Sequence, residues 1–141
     1  MKIIEIQKYS GQILNSINDL IPQLSGSAQP TSSQKLKGII SAKNSFLFLA
    51  EDGGRFIGTL TLVLINIPTC SKGQIEDVIV DKNFLGKGIG KKLILYAIAV
   101  AKEKGATLVN LTCSPHRTAA NALFKKLGFE KRETNMYKLE I

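Results

Sequence analysis

The sequence predicts an α/β (α+β) fold, a mixed sheet of about seven strands flanked by about four helices. Three observations predict it. Two apolar runs, Ser45–Glu51 and Arg55–Ile65, are joined by Asp52-Gly53-Gly54, and a third follows at Gln74–Asp81; this is the signal of an antiparallel meander. The stretch Ile75–Cys113 then runs strand, helix, strand, which makes a parallel crossover and so a mixed sheet. Apolar residues recur at helical spacing in four places outside the meander. At 141 residues the chain is expected to form one domain, 1–141, with a real core.

The elements follow in order. Lys2 to Lys8 alternates, with Ile4 and Ile6 on one face, and is expected as the first strand. Ser10 can cap a helix carrying Ile13, Leu14, Ile17, Leu20 and Ile21, which Pro22 closes or takes into its last turn. Ser25 to Pro30 is a loop. Thr31 to Ser33 offers caps for a second helix with Leu36, Ile39 and Ile40 inward, and Gly38 weakens it by about 1 kcal/mol against Ala. The meander comes next, with a loop expected over Pro68–Gly73. Gly90 to Lys104 is a helix with one broad apolar face, stopped by Gly105. Thr107 to Thr112 is a strand. Thr118 can cap a last helix with Leu123, Phe124 and Leu127 inward and Gly128 at its end. Phe129–Glu133 and Met136–Ile141 are expected as two closing strands around Thr134-Asn135.

Composition narrows the function classes. The longest apolar run, Leu93 to Ala101, is far short of the ~20 residues a membrane span needs, so no membrane is expected. MKIIEIQKYS carries Glu5 inside its apolar stretch and has no small-residue cleavage site, so no secretory signal is expected. Two cysteines without a framework suggest a reducing compartment, and a cytoplasmic location is expected. The net charge of +8 serves solubility or attracts anions. Nucleic acid is not the expected partner, because no arginine-rich helix, zinc spacing or aromatic strand motif accompanies the charge. Cys70, Cys113 and His116 have no metal-ligand spacing, and no metal is expected.

The chemistry concentrates in Ile75–Lys92. A strand, the loop Gly86-Lys87-Gly88-Ile89-Gly90, then a helix is the arrangement that aims backbone N–H groups and a positive helix end at an anion. Two phosphate loops are excluded by spacing. Lys91 stands where the dinucleotide fingerprint needs its third glycine, and Leu85 and Lys92 stand where the P-loop needs Gly and Ser/Thr. Spacing alone leaves two alternatives, an anion site or a turn that lets a helix approach a strand.

A resemblance bears on that choice. Val78–Val80 and Asp81, followed by Leu85-Gly86-Lys87-Gly88-Ile89-Gly90-Lys91-Lys92-Leu93, are similar to the acyl-CoA motif of the GNAT superfamily of N-acetyltransferases, Arg/Gln-x-x-Gly-x-Gly/Ala. Downstream, Asn121-Ala122-Leu123-Phe124-Lys125-Lys126-Leu127-Gly128-Phe129 resembles that family's second signature. The order of elements fits from Ile3 onward. The resemblance implies a GNAT-like fold with a splayed parallel strand pair at its centre, acetyl-CoA as co-substrate, and direct transfer of acetyl to a primary amine, most simply that of a small molecule. It implies that the pantetheine arm pairs with the backbone of Val78 and Val80, with Ile79 between them. The pyrophosphate would take N–H groups across Gly86, Lys87, Gly88, Ile89, Gly90 and Lys91, Val78 N–H would meet the oxyanion, and the Asn121 side chain would hold the pantetheine amide. Leu85 departs from the motif's Arg/Gln, so weaker or differently organised coenzyme A binding is expected. Phe124 stands at the family's usual tyrosine.

Acetyl transfer needs a neutral amine, a stabilised oxyanion and a departing thiolate. Glu76 is the candidate base, since an acid inside an apolar strand is costly unless used or paired; the alternative is a solvated strand-end charge. Strict alternation puts Glu76 on one face with Val78 and Val80, and Asp77 on the other with Ile75 and Ile79. Asp77 is a candidate for binding a cationic substrate. Asn121 could equally be a helix-surface residue, and Phe124 core packing. Phe124 cannot donate a proton, so the thiolate leaves unaided, or Ser114, Tyr137 or water substitutes, or the protein transfers acetyl poorly. A Cys113 nucleophile with His116 as base lacks a third orienting group. Two other functions stay open: a catalytically weak or inactive acyl-CoA-binding sensor or interaction module, and a protein or peptide N-acetyltransferase. Oligomeric state is open too, with a possible homodimer implied by the resemblance.

Overall fold

The computed structural model describes residues 1–141. Its elements are β1 (Lys2–Glu5), α1 (Gly11–Leu24), α2 (Ser33–Ser41), β2 (Ser45–Asp52), β3 (Arg55–Ile67), β4 (Cys70–Val80), a 3-10 turn (Lys82–Phe84), α3 (Ile89–Glu103), β5 (Leu108–Asn110) and α4 (Thr118–Lys126). The strands form one sheet in the order β1-β2-β3-β4-β5. The first four pair antiparallel as the meander predicts, and β5 joins β4 in parallel.

The helix signals act as expected at the level of single hydrogen bonds. Ser10 Oγ accepts from Ile13 N–H at 3.2 Å and Ser32 Oγ from Lys35 N–H at 3.1 Å, each satisfying a donor that the first turn leaves free. Pro22 sits inside the last turn of α1. The run Phe46 to Ala50 is apolar without alternation because both faces of β2 are covered. Phe48 and Ala50 join the core beneath α3, while Leu47 and Leu49 join the smaller core beneath α1 and α2. Gly58 lets α3 approach closely: a Cβ there would meet Ile79 O at 3.1 Å and Leu93 Cδ1 at 3.2 Å.

Four expectations are corrected. The sheet has five strands, not about seven. Phe129–Glu133 and Met136–Ile141 form no strand, because a strand exists only through a ladder partner and this segment has none; every residue from Glu130 to Ile141 is exposed. The parallel pair lies at an edge of the sheet rather than its centre, since β5 has nothing on its far side. The expected Pro68–Gly73 loop is a tight turn: Ile67 pairs with Cys70, so β3 and β4 continue almost to each other.

Candidate active site

β4 and β5 share a ladder only over Lys72–Gln74 and Leu108–Asn110. Beyond it the two chains part, and β4 from Ile75 to Val80 has β3 on one side and no strand on the other. A cleft of about 840 Å³ opens there, within the roughly 300–1,000 Å³ typical of small-molecule sites. Its floor is Ile75 to Val80. Leu111, Thr112 and Cys113 form the opposite wall, Arg117, Ala120, Leu123 and Phe124 of the α4 region one end, and Pro22, Gln23 and Leu24 of α1 the rim. Gln23 is tied to the floor's end, its Oε1 accepting from Lys82 N–H at 2.8 Å.

The floor is not a regular strand. Thr61 pairs with Glu76 and Thr59 with Ile79, so Asp77 and Val78 together face Leu60. This is a β-bulge, and Asp77 has φ 51, a left-handed conformation that Asp tolerates better than most side chains. The bulge reverses the phase of the strand and so corrects the faces expected from alternation. Ile75, paired with Leu62, and Val80, paired with Gly58, lie on the α3 side, and Val78 packs with them. Glu76 and Ile79 fall on the opposite side with Thr61 and Thr59. Glu76 and Asp77 are both exposed, so the burial cost invoked for Glu76 does not arise; its carboxylate accepts from Gln74 Nε2 at 3.1 Å. The two carboxylates project at the bulge without a salt-bridge partner.

At the other end of the floor the chain passes through the 3-10 turn into the glycine loop. Asp81 is 6% exposed. Its carboxylate accepts from Asn83 N–H at 2.9 Å and from Arg55 Nη2 at 3.0 Å, while its own N–H donates to Ile57 O at 2.8 Å. The Phe84 ring carries Lys87 Nζ 4.9 Å and Arg55 Cζ 5.6 Å from its centroid. The loop is thus held from behind, by β3. Gly86 and Gly88 have φ 77 and 75, and no atom lies within 4 Å of where their side chains would be. Gly88 is the N-cap of α3 and supplies no side-chain cap. The first helical bond is Lys92 N–H to Gly88 O at 3.1 Å, so the N–H groups of Ile89, Gly90 and Lys91 come before any intrahelical partner. An uncapped first turn behind an open loop leaves three backbone N–H groups and the positive end of the helix facing solvent.

The structure brings Glu76, Asp77, Val78, Ile79, Val80, Leu85, Gly90 and Phe124 together around the cleft. Leu85 is 64% exposed at its lip. Gly86, Lys87, Gly88 and Lys91 lie beside the cleft rather than in its wall, and the Ile89 side chain is buried in the core beneath α3, leaving only its backbone available. Asn121 does not line the cleft: its Nδ2 donates to Arg117 O at 2.8 Å and Ser114 O at 3.0 Å and lies 3.6 Å from Cys113 Sγ, bracing the loop before α4. Tyr137 is 87% exposed, away from the cleft, and His116 is exposed and takes no part in its wall. Ser114 borders an adjoining recess of about 320 Å³ with Thr112, Cys113 and Arg117.

Sequence reasoning missed the rim of α1 and Arg117. Arg117 is the N-cap of α4 and lines the cleft, and its guanidinium forms no salt bridge. Thr118, expected as the cap, is instead the first residue of α4, and a cation next to that expected helix start was the available signal. No helix is long and apolar enough to cross a membrane, and no group of His, Cys, Asp and Glu is placed to hold a metal ion.

Residues 14–129 match the model of the acetyltransferase (GNAT) family. An uncharacterized N-acetyltransferase of Methanocaldococcus jannaschii is 31% identical over 69% of this chain and 44% of its own length, so the chain spans less than half of that relative. N-alpha-acetyltransferase 30 of Schizosaccharomyces pombe is 29% identical over 90% of this chain and 84% of its own. Glucosamine 6-phosphate N-acetyltransferase of Trypanosoma brucei brucei is 28% identical over 94% of this chain and 93% of its own. The crystal structure of a Trypanosoma brucei acetyltransferase superimposes with a TM-score of 0.79 at 27% identity, covering 99% of each chain.

Proposed function

The chain belongs to the acetyltransferase (GNAT) family, and from that premise we propose that it is an acetyl-CoA-dependent N-acetyltransferase that passes acetyl directly to the primary amine of a small molecule. The observation that carries this reading is the unpaired edge of β4, bounded by the Glu76–Asp77 bulge at one end and the uncapped start of α3 at the other.

The residues present fit the co-substrate. The free N–H groups of Ile89, Gly90 and Lys91 suit a pyrophosphate, with Lys82 and Arg117 adding charge. The open edge at Val78 and Val80 suits an extended amide chain, which would add to β4 as a strand does. Acetyl-CoA supplies an acyl group activated as a thioester and a thiol that leaves readily. Val78 N–H is the donor proposed for the acyl oxygen. Asn121 acts at one remove, by bracing the Cys113–Arg117 loop.

On the acceptor side, Glu76 and Asp77 set two unpaired carboxylates in the cleft. They attract the cationic form of an amine, and Glu76 then takes its proton, directly or through water. The cleft holds the nucleophile against the acyl carbon, which removes much of the entropic barrier. Phe124 lines the cleft and gives no proton; Ser114, on the adjoining recess, or water serves, or the thiolate leaves unaided.

A small acceptor is supported by the α1 rim. Asn18 holds Thr31 by two hydrogen bonds, Nδ2 to Thr31 O at 3.1 Å and Thr31 N–H to Oδ1 at 2.8 Å, and Gln23 holds Lys82. The α1–α2 connection is thereby drawn against α1, where a peptide acceptor needs an open groove. The relatives include both a sugar-phosphate and an N-alpha enzyme by name, so they do not choose between the acceptors.

The test is release of free thiol from acetyl-CoA in the presence of an amine panel. The expected result is turnover on at least one small amine, with Glu76→Gln lowering kcat/KM by about 100-fold or more while calorimetry shows unchanged coenzyme A binding. A second reading, a coenzyme A-binding module without catalysis, is motivated by Leu85 and Phe124. It predicts that binding without any turnover, and turnover on any amine sinks it.

A further inference from the structure

We infer that Gln74 is a positioning residue for Glu76: its side-chain amide holds one carboxylate oxygen and presents the other to the acceptor amine. The inference rests on the reading of Glu76 as the base and deepens it by naming what orients that base.

Glu76 does not hold itself in place. Its carboxylate is exposed, on a long side chain with many rotamers open to it. It forms no salt bridge. Its backbone is paired on one side only, with Thr61 of β3, immediately before the bulge. Asp77, the next residue, brings a like charge and no side-chain donor. A base in that setting samples many directions, whereas proton removal needs one, within hydrogen-bond reach of the amine.

Gln74 has what Glu76 lacks. It lies on the last rung of the parallel ladder, opposite Asn110 of β5, with Val63 of β3 on its other side. Its backbone is thus held from both sides at the point where β4 and β5 part. The pairing of β3 with β4 runs regularly from Val63 and Gln74 to Thr61 and Glu76, so the two side chains of β4 share a face of the sheet. There Gln74 Nε2 donates to Glu76 Oε1 at 3.1 Å. Gln74 is half-buried and does not line the cleft, so it acts through Glu76 rather than on the substrate. An ionised carboxylate only accepts, and a primary amide is a donor without charge. One oxygen is thereby occupied, and the second is left to take the proton of the ammonium. A lysine in that place would also hold the carboxylate, but it would cancel the charge that attracts the cation. The amide fixes the base and leaves its attraction intact, the division between a reacting group and its support that precise sites need.

The experiment compares Gln74→Met, Glu76→Gln and the double variant in the full chain, with acetyl-CoA and the amine of the panel that the parent acetylates fastest. Methionine keeps the length of the side chain and removes the donor. Gln74→Met is expected to lower kcat by about 10-fold, less than the roughly 100-fold that gross misplacement of a reacting group can cost. KM for both substrates, calorimetric coenzyme A binding and the urea midpoint are expected to stay at the parent's values. The double variant is expected to be no slower than Glu76→Gln alone, since a base that is gone needs no orienting. A merely structural Gln74 would lower the urea midpoint and slow both backgrounds by the same factor, and that result overturns the proposal. So does Gln74→Met at the parent's kcat while Glu76→Gln is slow, an outcome that leaves the base reading standing. A Glu76→Gln variant as fast as the parent overturns the base and its positioning together.

Discussion

Replacing Asp81 by Ala removes the anchor of the glycine loop, and its cost can be worked from the contacts. The carboxylate is 6% exposed and caps the 3-10 turn through Asn83 N–H at 2.9 Å; losing such a cap costs about 1 kcal/mol. It also accepts from Arg55 Nη2 at 3.0 Å. A charged hydrogen bond is worth up to about 3 kcal/mol when dry, but the Arg55 side chain is 62% exposed, so screening leaves about 1 kcal/mol. The sum, about 2 kcal/mol, lowers Tm by about 7 °C for a chain of this size. Three variants separate the parts. Asp81→Asn keeps an oxygen for Asn83 N–H and should lose about 1 kcal/mol, Arg55→Ala no more than that, and Asp81→Ala the whole. Urea titration measures the series. Calorimetry at a temperature where all are folded should show coenzyme A binding weakened several-fold by Asp81→Ala, because the anion-binding N–H groups follow the anchored turn. If Arg55→Ala proved as costly as Asp81→Ala, or Asp81→Ala fell within 0.5 kcal/mol of the parent (about the scatter of neutral surface changes), the anchoring argument would be wrong.

Two further outcomes follow from other parts of the structure. Gly58→Ala pushes a methyl to 3.1 Å from Ile79 O, a backbone atom that cannot step aside; thermal or urea unfolding should show a loss of about 1–3 kcal/mol. Leu85→Arg places a cation at an exposed lip, 64% open to solvent. It should tighten coenzyme A binding a few-fold in low salt and less in high salt, with stability unchanged, since exposed charges act through a screened field.

Much of the fold was legible because its signals are local. Ser10 and Ser32 cap helices through hydrogen bonds three residues long, and Gly105 and Gly128 stop helices at φ 93. Asp52-Gly53-Gly54 turns the hairpin, with both glycines at positive φ. The glycine loop was readable for the same reason. The errors are all relational. Met136–Ile141 has the alternation of a strand, but pattern does not supply a partner. Glu76 and Val78 were put on one face by a two-residue period that holds only while a ladder is regular, and the bulge at Asp77 breaks it. Asn121 was picked from a motif, and only its surroundings show that its Nδ2 braces the loop in front of its own helix.

By itself, then, the sequence determined the four helices, the meander, the parallel crossover and the Gly86–Gly90 loop, since each depends on dihedral preferences and periodicity within a few neighbouring residues. Tertiary structure alone decided the site's inner arrangement. It parted β4 from β5 beyond Gln74 and turned Glu76 away from Val78. It brought Arg117 and the end of α1 to the cleft and left Met136–Ile141 without a ladder partner, so that no strand forms there. The reason is physical. A cleft is what remains where two strands stop hydrogen-bonding, and which residues face it depends on pairings made across tens of residues, which no local pattern encodes.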